Sequence, residues 1–292
     1  MSVGEFARPA GVLRYVDRGT GPAVVCVHGN PTWSYYYRNL AQVLADDHRV
    51  IVPDHLGMGR SDVPSPRHYA YDLAARVDDF GALMDHLRVG TDAPATLVVH
   101  DWGGAIALTW ATRHPDRVGR LVVTNTAAFP LLPGHRVPWL LWPSRVPVLG
   151  EALVCGANAF VRGTLRLGVR RRHLPPAVRR AYREPYGTWH DRIGILRFVR
   201  DVPEGPGGRT HPLLVETAAN LHRLADRPAQ IVWGLRDPVL TAPYLDAWRR
   251  TLPDAEVHAL DDAGHLVLED AAEAVPLIAA FLARTASAVT HP

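Results

Sequence analysis

The chain has 292 residues, of which 47% are hydrophobic and 21% are charged, and its formal net charge is +3. This length and composition fit a globular protein with one large domain, or with one core domain that carries an insertion. The small net charge argues against a nucleic-acid partner, and the absence of lysine excludes mechanisms that need a Schiff base on the enzyme.

Other classes of site are also absent from the sequence. No apolar run is long enough for a transmembrane helix, and residues 1–9 lack the apolar core of a signal peptide. The two cysteines, Cys26 and Cys155, lie among apolar residues and are typical of reduced, buried thiols. The metal-ligand spacings and the glycine-rich phosphate-binding motifs do not occur. We therefore expect a cytoplasmic protein with no metal and no cofactor.

Short apolar runs predict the strands of a sheet. Each run ends at polar residues, glycine or proline, and helical patterns such as residues 74–87 and 105–113 separate several of them. Continuous apolar runs favour strands covered by helices on both faces, and strands that alternate with helices predict a mostly parallel sheet. The predicted strands are residues 23–27, 50–52, 97–99, 121–123, 231–233 and 256–260.

The alternation of strands and helices stops between residues 129 and 216. This stretch is rich in proline, arginine and tryptophan, and it shows helical periodicity in residues 149–167 and 176–182. We interpret it as a helical cap inserted over the sheet. The core is then residues 1–128 and 217–292, and its last helices are predicted at residues 245–252 and 271–284.

The strongest chemical signal is Val-Val-His-Asp-Trp-Gly-Gly at residues 98–104. A predicted strand runs directly into two glycines and a helix, which is the context of a nucleophile elbow, the strained turn that presents a catalytic nucleophile. The nucleophile position holds Asp101 rather than serine or cysteine. A carboxylate attacks carbon to form an ester that must then be resolved. The alternative is that Asp101 only caps the helix, which leaves the motifs described next unexplained.

Three further residues follow predicted strands, as the partners of such a nucleophile do. Asn30, in His-Gly-Asn-Pro-Thr-Trp, can donate a hydrogen bond to an oxyanion, although Gly-x-Pro is also a common turn. His265 fits the general base, because among fifteen histidines it alone lies at the last turn from strand to helix. Asp237 would orient His265, although an aspartate before proline also forms turns.

These motifs together resemble those of the haloalkane dehalogenases, and the resemblance covers nearly the whole chain. The matching stretches are residues 28–38, 54–62, 101–104, 233–237 and 264–265. The resemblance implies the α/β-hydrolase fold, in which a mostly parallel sheet has helices on both faces and carries an inserted helical cap.

The resemblance also implies roles for five side chains. Asp101 is the nucleophile, His265 the base and Asp237 the acid. Asn30 and Trp102 are the two donors that hold a departing halide. Some relatives place the acid after the preceding strand, but that position is Asn125 here. An acid after the later strand, combined with Asn30, resembles the family's third subgroup.

Within that subgroup the chain is most similar to the cis-β-lactone decarboxylases of bacterial olefin biosynthesis. Residues 125–130, 174–186 and 197–203 carry this similarity, and His100 replaces the glutamine usual in dehalogenases. The expected reaction converts a long-chain cis-β-lactone to a cis-alkene and carbon dioxide; the alternative is hydrolytic cleavage of a carbon–halogen bond. The resemblance further implies association with other olefin-biosynthesis enzymes or with copies of the chain itself.

Two other functions are compatible with parts of the sequence. Epoxide hydrolases share the aspartate nucleophile and need two cap tyrosines, for which Tyr182 and Tyr186 are available, but Trp102 beside the nucleophile suits an anion better. A hydrolase scaffold can also serve as a ligand receptor without catalysis, an interpretation that the complete set of Asp101, His265 and Asp237 disfavours.

The cap contains a strongly apolar run, Val-Pro-Trp-Leu-Leu-Trp-Pro, at residues 137–143. We expect Trp139 and Trp142 to line a tunnel or form an exposed patch for an apolar, lipid-like substrate, with Phe129 and Phe160 as the next candidates. The alternative is that the tryptophans pack the cap onto the core and that the nearby arginines, at residues 166 and 170–172, form a solvated face.

Overall fold

An eight-stranded sheet lies at the centre of the protein, in a computed structural model that describes residues 3–286. The spatial order is β1-β2-β4-β3-β5-β6-β7-β8. All pairs from β4 to β8 are parallel, whereas β1 pairs with β2 and β2 pairs with β4 in antiparallel orientation. The strands are β1 (Val3–Arg8), β2 (Gly11–Arg18), β3 (Ala23–Val27), β4 (Arg49–Pro53), β5 (Ala95–Asp101), β6 (Val118–Thr126), β7 (Ala229–Gly234) and β8 (Glu256–Leu260).

The six parallel strands are the six that the apolar runs predict. In five of them most residues are buried, as in a sheet covered by helices on both faces, and in β8 all five residues are half-buried. The hairpin of β1 and β2 was not predicted. In β1, exposed and half-buried residues alternate along the whole strand, so no continuous apolar run marks it. An edge hairpin of this kind has one solvated face, and its signal is alternation.

Helices cover the sheet and form the segment between β6 and β7. None of the described helices has the length and apolarity that spanning a bilayer requires. The α-helices within residues 3–286 are α1 (Arg38–Leu44), α2 (Leu73–His86), α3 (Trp102–Arg113), α4 (Trp142–Arg145), α5 (Ala159–Leu167), α6 (Pro176–Arg183), α7 (Ile193–Asp201), α8 (His211–Asn220), α9 (Ala242–Thr251), α10 (Val267–Asp270) and α11 (Ala274–Arg284).

Residues 127–228 are described throughout and contain helices, turns and loops but no strand. The helical pattern predicted at residues 149–167 is interrupted: a π-helix (Glu151–Gly156) ends, Asn158 takes a left-handed φ of 53°, and α5 then begins. Asparagine adopts this conformation more easily than most residues, so it allows the chain to turn here. The division into a core and a cap at residues 129 and 216 remains a prediction, and we call residues 129–216 the cap segment.

Small residues let α3 pack closely against the ends of neighbouring strands. A Cβ atom on Gly103 would lie 1.9 Å from the carbonyl oxygen of Val27, and one on Gly104 would lie 1.9 Å from Oγ1 of Thr126. Such distances are far inside van der Waals contact. The two glycines that identify the elbow in the sequence are therefore required by the approach of α3 to β3 and β6.

We expect Gly103→Ala to destabilise the protein by about 3 kcal/mol, because its new methyl group must displace a backbone carbonyl. Gly163→Ala is the matched control. A Cβ on Gly163, in the interior of α5, would meet no atom within 4 Å, and alanine is favoured over glycine in helices by roughly 1 kcal/mol. Urea unfolding of both variants would measure the difference, and equal stability of the two would contradict the proposed packing.

Candidate active site

Asp101 occupies a strained turn at the point where β5 becomes α3. Its φ is 50° and its ψ is −128°, values that a residue with a side chain rarely adopts. β5 ends at Asp101 and α3 begins at the next residue, so the chain has no loop in which to reverse direction. The hydroxyl of Thr126 donates a hydrogen bond to the Asp101 carbonyl and holds the turn against the end of β6.

Two backbone N–H groups hold the Asp101 carboxylate. The N–H of Asn30 donates to Oδ1 at 2.7 Å, and the N–H of Trp102 is the second donor. A Cβ on Gly29 would lie 2.2 Å from Oδ1, which explains the glycine at that position. The backbone N–H of Asn30, expected from the sequence to serve an oxyanion, therefore binds the carboxylate of Asp101 itself. The other oxygen, Oδ2, lies 3.6 Å from Nε2 of His265.

A second carboxylate lies on the far side of the His265 ring. Oδ2 of Asp237 is 2.7 Å from Nδ1 of His265, and Oδ1 accepts hydrogen bonds from the backbone N–H groups of Val239 (2.8 Å) and Leu240 (3.0 Å). Because these N–H groups fix the carboxylate, it can hold the imidazole in one orientation. The structure thus brings together the three residues that the sequence predicts as nucleophile, base and acid.

Asn125 fixes the same carboxylate from the neighbouring strand. Its amide nitrogen donates to Oδ2 of Asp237 at 2.9 Å and to the carbonyl of Gly234 at 3.1 Å, and its Oδ1 accepts the Gly234 N–H at 2.8 Å. From the sequence, Asn125 was notable only as a position without a carboxylate. An amide at the alternative position for the acid was the available signal, because it can donate to a carboxylate on the next strand.

His100 supports His265 from beneath. Its ring centroid lies 4.6 Å from that of His265 and 4.5 Å from that of Tyr36. Burial lowers the pKa of His100 well below its usual range, so the ring is neutral. Nε2 lies 2.9 Å from the carbonyl oxygen of His265 and must therefore carry the proton that it donates there. The residue that departs from the dehalogenase pattern thus contacts both the ring and the backbone of His265.

The charges of the site favour an ion pair between Asp101 and His265. Burial disfavours the charged imidazole, but the charge of Asp237, its hydrogen bond and the charge of Asp101 together raise the pKa of His265 to about 9. Burial also raises the pKa of Asp101, while the charge of His265 and the two backbone hydrogen bonds oppose that shift. At neutral pH the His265 imidazole is therefore protonated, and it lies between the side chains of Asp101 and Asp237.

A cavity of about 340 Å³ opens onto Asp101, within the range of small-molecule sites. Polar groups converge at Asn30, Asp101, Trp102 and His265, and most of the other lining residues are apolar. Two of the predicted cavity residues, Phe129 and Phe160, line it. The apolar residues from the cap segment are Phe129, Leu131, Pro138, Leu140, Leu141, Pro143, Leu153, Ala159, Phe160, Gly163, Leu167, Gly168, Val199, Val202, Pro203 and Leu214.

The structure does not bring the other four candidates to the cavity wall. Trp139 and Trp142 are exposed, by 77% and 47%, and do not line it. The Tyr182 hydroxyl donates to Glu269 at 2.5 Å, and the Tyr186 hydroxyl contacts the Gly59 N–H and the Thr32 carbonyl. The two tyrosines that an epoxide hydrolase would need therefore bind elsewhere in the protein.

Two side-chain N–H donors remain for a ligand at the polar end of the cavity. Nδ2 of Asn30 donates one hydrogen bond, to the carbonyl of Ile195 at 3.2 Å, and retains a second hydrogen. Within the described chain, the indole N–H of Trp102 has no hydrogen-bond acceptor, and its ring packs 5.4 Å from that of Phe198. A carboxylate nucleophile beside two free N–H donors can attack carbon and bind an anion released by that attack.

The arrangement of sheet, elbow and buried histidine defines the class of protein. The family model of the alpha/beta hydrolase fold matches residues 22–152. Haloalkane dehalogenase DbeA from Bradyrhizobium elkani has a crystal structure that superposes with a TM-score of 0.86 at 28% identity, over 98% of this chain and 99% of that chain. The protein has the α/β-hydrolase fold, as predicted.

Curated relatives narrow this class. The chain is 49% identical to a cis-3-alkyl-4-alkyloxetan-2-one decarboxylase of Xanthomonas campestris, over 95% of this chain and 94% of the relative. A protein of the same name from Shewanella oneidensis is 45% identical over 98% and 90% of the two chains. Haloalkane dehalogenase 2 of Mycobacterium bovis is 33% identical over 92% and 91%. The chain belongs to the enzyme family that these decarboxylases form with the haloalkane dehalogenases, which confirms the predicted resemblance.

The pKa of His265 predicts a pH dependence of stability. A folded-state pKa of about 9, above the ordinary 6.5, gives a stabilisation that is complete below pH 6.5 and is lost as the pH rises through 9. We expect the stability difference between the wild type and His265→Gln to shrink by on the order of 3 kcal/mol between pH 6 and pH 10. Urea unfolding across this range measures it. A difference that does not shrink as the pH rises would mean that folding does not raise the pKa of His265.

Proposed function

We propose that this protein is a β-lactone decarboxylase that converts a cis-3,4-dialkyl oxetan-2-one to a cis-alkene and carbon dioxide. The observation that carries the proposal is the Asp101 carboxylate at the polar end of an apolar cavity, with two free N–H donors beside it. The relatives at 49% and 45% identity support it, since an oxetan-2-one is a β-lactone. The apolar lining suits two alkyl substituents on a small polar ring.

The first step is a displacement at carbon. Oδ2 of Asp101 attacks the ring carbon that bears the ring oxygen, from the side opposite that oxygen. The new carbon–oxygen bond forms as the ring carbon–oxygen bond breaks, and the electron pair of the broken bond leaves with the substrate carboxylate. Nδ2 of Asn30 and Nε1 of Trp102 would bind this carboxylate, as they would bind a departing halide.

The second step regenerates the enzyme without water. The carbon–carbon bond to the carboxylate breaks, its electron pair forms the double bond, and carbon dioxide leaves. The ester bond to Asp101 breaks at the same time and returns its electron pair to the aspartate. Inversion in the first step followed by anti elimination in the second gives the cis-alkene from the cis-lactone, and no proton is gained or lost.

His265 acts on this route as a fixed cation. The imidazolium, raised in pKa by Asp237 and Asp101, lies between the two carboxylates. When Asp101 becomes an ester its negative charge moves to the substrate, and the imidazolium stays close enough to stabilise the anion in either place. Hydrolysis of an alkyl-enzyme ester would instead require a neutral His265 that activates water.

A second candidate function is haloalkane dehalogenation, which the donors Asn30 and Trp102 equally support because a halide would fit where the carboxylate leaves. For epoxide hydrolysis we find no comparable support, because the hydroxyls of Tyr182 and Tyr186 are engaged away from the cavity. We further propose a cytoplasmic location, in line with the two free, buried cysteines, and the division into core and cap segment given above.

Asp101→Asn should abolish alkene formation from a cis-β-lactone, because an amide oxygen is a far poorer nucleophile than a carboxylate. Gas chromatography of the alkene measures activity, and intact-protein mass checks that the asparagine has not deamidated.

Wild-type enzyme that turns over the lactone in heavy-oxygen water should carry no label in Asp101, because elimination needs no water. Label in Asp101 would exclude the elimination route.

The same protein with 1-bromobutane tests the second candidate. A dehalogenase would release bromide and take up heavy oxygen at Asp101, and His265→Ala would accumulate the butyl ester on Asp101, visible by mass. Bromide release without any alkene from the lactone would overturn the proposed function in favour of the second. Under the proposed function, His265→Ala keeps part of its lactone turnover and accumulates no ester from that substrate.

Gly163 provides room for an alkyl chain in the cavity. It lies on the face of α5 that lines the cavity, together with Phe160, Thr164 and Leu167, and nothing lies within 4 Å of the place its Cβ would take. We expect Gly163→Leu to lower kcat/KM for long-chain lactones at least about tenfold more than for short-chain ones, since each methylene contact contributes roughly 0.8 kcal/mol.

The control for this prediction is Gly163→Ala, which adds one methyl group at the same position and favours the helix. It should keep most of the activity on both substrates. Equal losses for short and long chains in Gly163→Leu would mean that the alkyl chains do not pass α5, and the cavity between Leu131, Leu141 and Val202 would then be the remaining route.

A further inference from the structure

Exposed large apolar side chains are concentrated in one short part of the described chain. Ten such residues are present, and five of them lie within residues 139–149. Trp139 is 77% exposed and Val148 is 81% exposed, values unusual for side chains of this size. Contiguous exposed apolar surface marks a site of interaction. The five residues, which we call the apolar rim, are Trp139, Trp142, Val146, Val148 and Leu149.

The apolar rim borders the cavity that leads to Asp101. Trp139 lies between Pro138 and Leu140 in the chain, and both neighbours line the cavity. Trp142 lies between Leu141 and Pro143, which also line it. On α5, Leu167 lines the cavity and is itself 39% exposed, so the cavity reaches the surface there. The exposed apolar surface is therefore continuous with an apolar interior.

One residue of the rim, Val148, combines a strained backbone with an exposed side chain. Val148 has a φ of 67°, a left-handed conformation that a β-branched residue rarely adopts. The side chain gains no burial from this conformation, since it is one of the most exposed valines of the described chain. Because no packing within the chain compensates for this strain, we infer that Val148 contacts a partner outside the folded chain.

The charges around the rim are positive. Residues 129–168 contain four arginines and one acidic residue, Glu151, which is bound to Arg200. Arg136, Arg162 and Arg166 are exposed and form no ion pair with any residue of the described chain. Arg162 and Arg166 flank the cavity-lining residues Gly163 and Leu167 on α5. An apolar surface flanked by unpaired cations is complementary to the surface of an anionic bilayer.

We propose that the apolar rim docks the mouth of the cavity onto a lipid bilayer with anionic headgroups. Trp139, Trp142 and Val148 insert among the acyl chains, while the arginines bind headgroup phosphates. The docking surface is inferred from the exposed residues alone. Only the molecules that would use the cavity, a long-chain lactone that enters and an alkene that leaves, rest on the proposed function. Both molecules are apolar and partition into a bilayer, so docking joins their reservoir to the cavity.

The test uses the full chain with phosphatidylcholine vesicles, with and without phosphatidylglycerol, and measures co-sedimentation in the absence of substrate. The double variant Trp139→Ser, Trp142→Ser should bind at least about tenfold more weakly. Arg162→Gln with Arg166→Gln should weaken binding to the anionic vesicles by about fivefold per arginine, and added salt should reduce that difference. All these side chains are exposed, so the variants are expected to fold.

Two matched controls belong to the same cap segment. Trp189 is 52% exposed and does not line the cavity, and Arg179 and Arg180 on α6 are exposed and unpaired within the described chain. Trp189→Ser, and Arg179→Gln with Arg180→Gln, should bind vesicles as the wild type does. All variants should keep wild-type activity on a short, water-soluble lactone, while the rim variants lose activity on lactone presented in vesicles.

Other results would overturn the proposal. The rim is excluded as the docking surface if the wild-type protein sediments with neither vesicle. It is also excluded if Trp189→Ser weakens binding as much as the double variant Trp139→Ser, Trp142→Ser does. Light scattering could show that the wild type is an oligomer and that Trp139→Ser with Trp142→Ser dissociates it. The rim would then be a contact between copies of the chain. Because binding is measured without substrate, failure of the β-lactone reaction would leave this result standing.

Discussion

The site depends on the two backbone N–H groups that bind the Asp101 carboxylate. Asn30 supplies one from the turn after β3, and Trp102 supplies the other from the start of α3. Both can reach the carboxylate only because Gly29 and Gly103 bring the strand end and the helix into direct contact. With the carboxylate held in this way, its Oδ2 lies 3.6 Å from Nε2 of His265, at the wall of the cavity. The order of the strands, the strained turn at Asp101 and the two glycines together place the carboxylate at this point.

Around that carboxylate the protein arranges charge in a row. Asp101 and Asp237 lie on opposite sides of the His265 ring, and their combined field outweighs the cost of burying a charged imidazole. Asn125 and His100 hold the row in place without adding charge, the first by binding Asp237 and the second by binding the backbone of His265. A reaction that only moves negative charge between the aspartate and the substrate suits such a site, because the imidazolium need not give up its proton.

The sequence predicted the parallel core and the three residues of the Asp101–His265–Asp237 row, because buried strands and tight turns leave local signals. Apolar runs mark β3 and β5, and paired glycines mark the elbow. The edge hairpin of β1 and β2 left only alternation. The sequence marks Asn125 and His100 as departures from a pattern but does not give their roles, which come from contacts with Asp237 and His265, more than a hundred positions away. The tryptophans of the cap segment illustrate the same limit, since composition could not decide whether they face the cavity or the surface.

The elbow also bears on how one scaffold serves different chemistries. In an α/β hydrolase with a serine nucleophile, the N–H groups after the first core strand and after the nucleophile form the oxyanion hole for a substrate carbonyl. Here the corresponding groups of Asn30 and Trp102 already bind the carboxylate of Asp101. Ester and amide carbonyls are thereby denied the electrophilic activation on which acyl transfer depends. The same loop geometry that holds the aspartate therefore leaves neither backbone N–H free to polarise a substrate carbonyl.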